Sequence, residues 1–143
     1  MSNKNGKPVF LKSGAQALAN YPHARIANGF IYVSGVSSRK EDNTHDGVKI
    51  NEDGTVELDI KVQTRAVINN IKKILKLAGA DLENIVDLTT FLINMEDYKH
   101  YNEAYNEFFD SDTGPSRTTV AVHQLPHKNL LIEIKVVALI NHL

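Results

Sequence analysis

The sequence predicts an α+β fold, a mixed β-sheet with two helices on one of its faces. Three observations carry that expectation. The elements run strands, helix, strand, helix, strand, strand, which is neither the strict alternation of a doubly wound sheet nor an all-β pattern. Residues 59–78 place Ile60, Val67, Ile71, Ile74, Leu75 and Ala78 on one stripe at the 3.6-residue period of an amphipathic helix. Residues 130–138 alternate with Leu130, Ile132, Ile134, Val136 and Ala138 on one strand face and Leu131 and Val137 on the other, so both faces are apolar. Two helices cover only one face of a sheet, and the second face is expected to pack on another subunit about a closed symmetry axis.

The elements follow in order. Residues 1–18 read as a polar lead-in with one apolar patch, Val9-Phe10-Leu11. Aromatic and β-branched residues bounded by Gly29 and Gly35 predict a strand. Val48-Lys49-Ile50 and Val56-Glu57-Leu58 flank Asn51-Glu52-Asp53-Gly54, a hairpin signal because glycine accepts positive φ without steric cost. The first helix is expected from an Asp59 N-cap to a Gly79 C′ residue, with Lys72, Lys73 and Lys76 near the negative end of its dipole. Residues 85–93 predict a strand buried on most of both faces. Asn94 reads as an N-cap with Asp97 as its box-like partner, opening a second helix with Tyr98, Tyr101, Tyr105, Phe108 and Phe109 on one stripe. Asp110-Ser111-Asp112-Thr113-Gly114-Pro115 ends it. Residues 117–123 form the next strand, 125–129 a turn, and 130–138 the last strand.

A chain of 143 residues with 42% hydrophobic and 23% charged residues is expected to be one globular domain, residues 1–143, and not a disordered segment. The net charge of −1 supplies no single-sign field for nucleic acid or anionic lipid. The absence of cysteine removes disulfides, thiolate metal sites and Cys nucleophiles together. The polar amino terminus predicts no secretory signal, and no apolar run approaches the ~20 residues of a membrane helix, so a cytoplasmic location is expected. No Walker A loop, G-x-G-x-x-G, G-x-S-x-G or H-E-x-x-H occurs. His123 and His127 are four apart but separated by Pro126, so no metal site and no cofactor are expected.

Two charges sit where the pattern asks for apolar residues. Arg117 opens a strand just after Gly114-Pro115, and Glu133 stands between Ile132 and Ile134. A carboxylate there needs a partner or a purpose. One reading is structural, an exposed sheet edge or an ion pair with Lys or Arg. The other is a concave site in which an arginine holds a carboxylate bidentately and a glutamate orients water. Tyr21 and Ser34-Gly35 carry the same two readings, core edge and strand end against pocket lining.

These residues resemble the Rid family (reactive intermediate deaminase, also YjgF). The resemblance lies in Ser34-Gly35 after Gly29-Phe30-Ile31-Tyr32-Val33, in Gln63-Thr64-Arg65-Ala66-Val67-Ile68-Asn69-Asn70-Ile71, and in Thr89-Thr90-Phe91-Leu92. It continues through Tyr101-Asn102-Glu103-Ala104-Tyr105, Gly114-Pro115-Ser116-Arg117-Thr118-Thr119-Val120, Leu125-Pro126 and Ile132-Glu133-Ile134. Within the family, 33–39, the longer insertion through Asp42-Asn43-Thr44, 58–67 and 119–127 resemble 2-aminomuconate deaminases. Tyr21-Pro22-His23 stands where many members have Tyr-Ser-Gln, and Thr119 where many have Cys.

The resemblance implies a chorismate-mutase-like sandwich, a homotrimer whose sheets close a barrel, sites in the clefts between subunits, and pairing of trimers into a dimer of trimers. It implies that Arg117 holds the substrate carboxylate, that Glu133 orients the hydrolytic water, and that Tyr21, Ser34 and Gly35 line the pocket with Asn102. His23, Arg39 and His127 are the candidates for a second carboxylate. The implied activity is metal-free hydrolysis of a C–N bond, converting 2-aminomuconate to the 2-oxo or 2-hydroxy dicarboxylate and ammonia. A general 2-enamine/2-imine deaminase and a non-catalytic carboxylate-binding module are the alternatives. The balanced charge and the lack of a basic, aromatic-interleaved stretch argue against RNA.

Overall fold

A computed structural model describes residues 4–140. Among the described residues eight strands form one main sheet and a small hairpin, accompanied by two α-helices. The strands are β1 (Lys7–Val9), β2 (Ala24–Ala27), β3 (Phe30–Val33), β4 (Val48–Ile50), β5 (Val56–Leu58), β6 (Ile85–Leu92), β7 (Ser116–Ala121) and β8 (Ile132–Leu139). The helices are α1 (Ile60–Ala78) and α2 (Tyr98–Tyr105). The main sheet has the order β1-β2-β3-β8-β6-β7, with only β6 and β7 parallel, and β4-β5 stand apart as a hairpin. This is the mixed sheet with two helices that the sequence predicts. No helix among the described residues is long and apolar enough to cross a membrane.

Residues 1–3 of the expected lead-in lie outside the described residues, and part of the rest belongs to the sheet. Lys7–Val9 pairs with Ala24–Ala27, which pairs in turn with Phe30–Val33. The last two strands are joined by Asn28 and Gly29 alone, both at positive φ (51° and 81°), the geometry of a two-residue I′ turn. The β4-β5 hairpin forms where its Asp-Gly signal placed it, with Gly54 at φ 86°.

Helix α1 begins at Asp59, whose side chain accepts from the Val62 N–H at 3.1 Å, and ends at Gly79 in the left-handed region at φ 94°. Its apolar stripe packs on Ile31, Val33, Ile132, Ile134 and Val136 in one continuous core. The stripe also buries Gln63, whose amide donates to the Asn129 carbonyl and accepts from the Leu131 N–H, both at 2.9 Å, fixing the entry to β8. Both bonds are needed because an unsatisfied buried amide costs more than a satisfied one contributes.

Three expectations need correction. Helix α2 stops at Tyr105 and not at Phe109, because the Phe108 N–H turns back to the Tyr105 carbonyl three residues away and tightens the chain. Phe108 and Phe109 still pack on the core from the turn. Asn94 caps a single 3₁₀ turn through the Glu96 N–H, and Asp97 makes no capping bond. Strand β6 buries Ile85, Leu88, Thr90 and Leu92 but leaves Val86 and Asp87 exposed and Thr89 and Phe91 half-buried, so it is buried on one face and not on both.

The register explains that difference. Leu88, Thr90 and Leu92 align with Val136, Ile134 and Ile132 under the helices. Thr89 and Phe91 align with Lys135 and Glu133 on the opposite face. No described element covers that face: Tyr32 is 45% exposed, Leu139 45% and Val120 38%.

Candidate active site

Arg117 lies on β7, a sheet edge, in register with Leu88, so its side chain rises on the helix-covered face beneath α2. One terminal guanidinium nitrogen donates to Asn102 Oδ1 at 2.9 Å and the other to the Tyr98 hydroxyl at 3.0 Å. The guanidinium carbon is 4.7, 5.1 and 5.7 Å from the ring centres of Tyr105, Tyr101 and Tyr98. This is an aromatic cage around a cation. Among the described residues no carboxylate pairs with it. All its partners are neutral, which leaves the positive charge available to an anion. Beneath it the Tyr101 hydroxyl bonds to Thr90, and burial pushes the Tyr101 phenol upward. Thr119 Oγ1 is buried in the same register and has no partner among the described residues.

Glu133 belongs to the other face. β3 meets β8 at Tyr32 opposite Val137 and rejoins it at Val36 opposite Ile134. Three residues of one strand therefore span two of the other, a bulge that lifts Ser34 and Gly35 out of the ladder. The Ser34 N–H donates to the His23 carbonyl at 3.0 Å and its hydroxyl to the Pro22 carbonyl at 2.8 Å, tying the bulge to the chain just after Tyr21. Gly35 lies against the Glu133 carboxylate: a Cβ there would sit 2.6 Å from Glu133 Oε2. Space, and not positive φ, is what asks for glycine. Glu133 is half-buried, and burial raises its carboxyl above the ordinary range. No ion pair to it is present among the described residues, so the structural reading of Glu133 lacks its Lys or Arg.

The nine residues singled out in the sequence fall into groups. Tyr21, His23, Ser34, Gly35 and Arg39 line one cavity together with Leu11 and Ile74, and Glu133 touches that group through Gly35. Arg117 and Asn102 form a second group under α2. His127 joins neither: its ring stacks on His45 at 4.3 Å and its Nδ1 accepts from the Asn129 N–H. Both His23 nitrogens are engaged by backbone, Nδ1 by the Leu11 N–H at 3.1 Å and Nε2 by the Ala15 carbonyl at 2.8 Å. The Arg39 guanidinium is likewise held, by Asn43 Oδ1 at 2.7 Å and the Gln16 carbonyl at 2.6 Å.

Sequence reading placed Tyr98, Tyr101 and Tyr105 on the apolar stripe of α2 and missed their place around Arg117. The available signal was their hydroxyls, since three phenols on one helix stripe ask for polar partners as well as a core.

Residues 12–140 match the family model described as Endoribonuclease L-PSP. The chain belongs to this family, the Rid (YjgF) family. A RutC family protein of Sulfurisphaera tokodaii is 37% identical over 129 residues, covering 90% of this chain and 94% of that one. The crystal structure of YyfA from Yersinia pestis, described as a protein of unknown function of the conserved Rid protein family, superposes with a TM-score of 0.78 at 33% identity, covering 94% and 98% of the two chains. The structure of Escherichia coli TdcF with bound serine superposes with a TM-score of 0.77 at 25% identity, covering 94% and 99%. Rid membership supports an imine or enamine deaminase role, or a related one, for this chain.

Proposed function

We propose that this Rid chain is a metal-free hydrolytic deaminase of 2-aminomuconate, with a site completed between subunits. The observation that carries the reading is the separation of two uncompensated charges. Among the described residues, Arg117 in its tyrosine cage and Glu133 at the bulge each lack a counter-charge, and they occupy opposite faces of one sheet. One copy cannot offer both to one small substrate. A second copy laid on the open face brings its own Arg117 edge toward the first copy's Glu133, and three such contacts close a ring. The uncovered Tyr32, Val120 and Leu139 supply apolar area for that contact, and a trimer or a pair of trimers follows. The serine in the TdcF structure is an amino acid with a free carboxylate, in keeping with an arginine that receives one.

The chemistry asks for little else. The enamine tautomerises to the imine, which makes the nitrogen-bearing carbon electrophilic. Water held by Glu133 adds there and gives up a proton to the carboxylate. The carbinolamine then takes a proton on nitrogen and expels ammonia, leaving the 2-oxo dicarboxylate or its enol. Arg117 supplies a planar fork for the carboxylate next to the reacting carbon. Asn102 and Tyr98 hold that fork in place.

Ammonia release from freshly generated 2-aminomuconate, compared with small 2-imino acids, tests the reading. A kcat/KM higher for 2-aminomuconate supports it. A higher value for the small imines points to the general deaminase, and carboxylate binding with no ammonia to the binding module. Light scattering is expected to give a mass of three or six chains at micromolar concentration, and a monomer would remove the shared site. Gly35→Ala tests the bulge. The added methyl pushes on the end of a flexible side chain, so the melting temperature should move by only a few degrees. Turnover should fall about tenfold, less than the ~10²-fold that a full 1 Å misplacement can cost.

A further inference from the structure

Glu133 is not alone on the open face of β8. Lys135, two residues on, points to the same side, with Glu133 in register with Phe91 and Lys135 with Thr89. Lys135 Nζ donates to the Val33 carbonyl at 2.9 Å. Val33 is the last residue of β3, and the bulge begins there. The ammonium is thus held at one end of the bulge, and the Glu133 carboxylate touches Gly35 at the other. An ammonium carries three N–H donors. Val33 accepts from one, and among the described residues no carboxylate lies within ion-pair distance of the rest. Its neighbours on this face are Thr89, Phe91, Val137 and Tyr32 together with the carboxylates Glu133 and Asp87, and among the described residues neither carboxylate forms an ion pair with the ammonium.

We propose that Lys135 is the second anion anchor of the site. It receives the distal carboxylate of a dicarboxylate whose reacting carbon lies at Glu133, and it sets a preference for dianionic over monoanionic substrates. The inference rests on the deaminase reading for which carbon reacts, and it adds the residue that selects the substrate. Same-face neighbours on a strand stand about 6.5–7 Å apart, the scale of the four-carbon span between the amine-bearing carbon and the far carboxylate of a six-carbon diacid. The other candidates are less well placed. His23 has both nitrogens engaged by backbone, the Arg39 fork ties two loops together, and His127 is stacked away from the cavity.

Two conjugated six-carbon acids that differ only in the far carboxylate, hexa-2,4-dienedioate and hexa-2,4-dienoate, isolate this contact. Calorimetric titration of the wild-type protein should show tighter binding of the diacid. Lys135→Gln should weaken the diacid about tenfold and leave the monoacid within threefold, and Lys135→Arg should restore most of the difference. Ammonia release from a 2-iminodicarboxylate and from the monocarboxylate of equal chain length should show the same split, carried by KM. Equal wild-type binding of the two acids, or equal weakening of both in Lys135→Gln, would overturn the proposal. So would a Lys135→Gln variant whose melting temperature falls while its diacid preference persists, since Lys135 would then only cap the Val33 carbonyl. If the wild type releases no ammonia but Lys135→Gln loses the diacid preference, the deaminase reading fails and the anchor stands.

Discussion

Glu133→Gln should lower kcat by about 10²–10⁴-fold, the usual span of a general base, while the affinity for a carboxylate inhibitor changes little. Glutamine keeps the size and one acceptor but cannot take a proton from water. Two further readouts separate a working base from a structural residue. The first is the pH profile of the rate. Burial raises the Glu133 carboxyl, so the wild type should show an acidic limb above the ordinary glutamate value of 4.5, and the Gln variant should lose that limb. The second is stability, whose sign follows from the same shift. Above 4.5 the folded chain holds the Glu133 proton more tightly than the unfolded chain, so stability falls as pH rises through the raised value. Gln carries no such cost, and at neutral pH its melting temperature should equal or exceed that of the wild type, with the gap closing below pH 4.5. Normal turnover together with a lowered melting temperature would return Glu133 to a structural role.

Arg117→Lys should lose about 1.5–3 kcal/mol of substrate interaction, a roughly ten- to hundredfold drop in kcat/KM. Lysine keeps the charge and a place above the tyrosine rings. It cannot reach Asn102 and Tyr98 with two nitrogens while offering a parallel pair of donors to a carboxylate. A modest loss of stability is also expected, since Arg117 makes both of those bonds in the unliganded chain. Circular dichroism and the melting temperature measured on the same preparation show whether the variant is folded. A folded Lys variant with full kcat/KM would rule out Arg117 as the anchor.

Much of this was legible in the chain because the physics is local. Asp59 and Gly79 bracket an apolar stripe at helical period, and the helix forms between them. Asp53-Gly54 between short alternating runs gives the β4-β5 hairpin. Arg117 and Glu133 stood out because a charge within an apolar strand is costly without a partner. Strands β1 and β2 were not legible. Lys7–Val9 and Ala24–Ala27 are short, carry lysine, proline and arginine, and are strands only because β3 offers each successive edge. Their one local signal was the Asn28-Gly29 turn.

By itself the sequence determined the first helix, the hairpin, the apolar core face of the last strand and the identity of the charged residues, since each depends on spacing within a few residues; the open face of that strand carries Glu133 and Lys135 and is not the second apolar face expected. Only the tertiary structure decided where those charges point. The parallel pairing of β7 with β6 turns Arg117 under α2, into a cage of tyrosines from another element. The extra residue between Val33 and Val36 sets Gly35 against Glu133 and puts Val33 within reach of Lys135. Strand period two says that residues alternate, but which face is buried depends on what packs there, and that is settled by pairing between segments far apart in the chain.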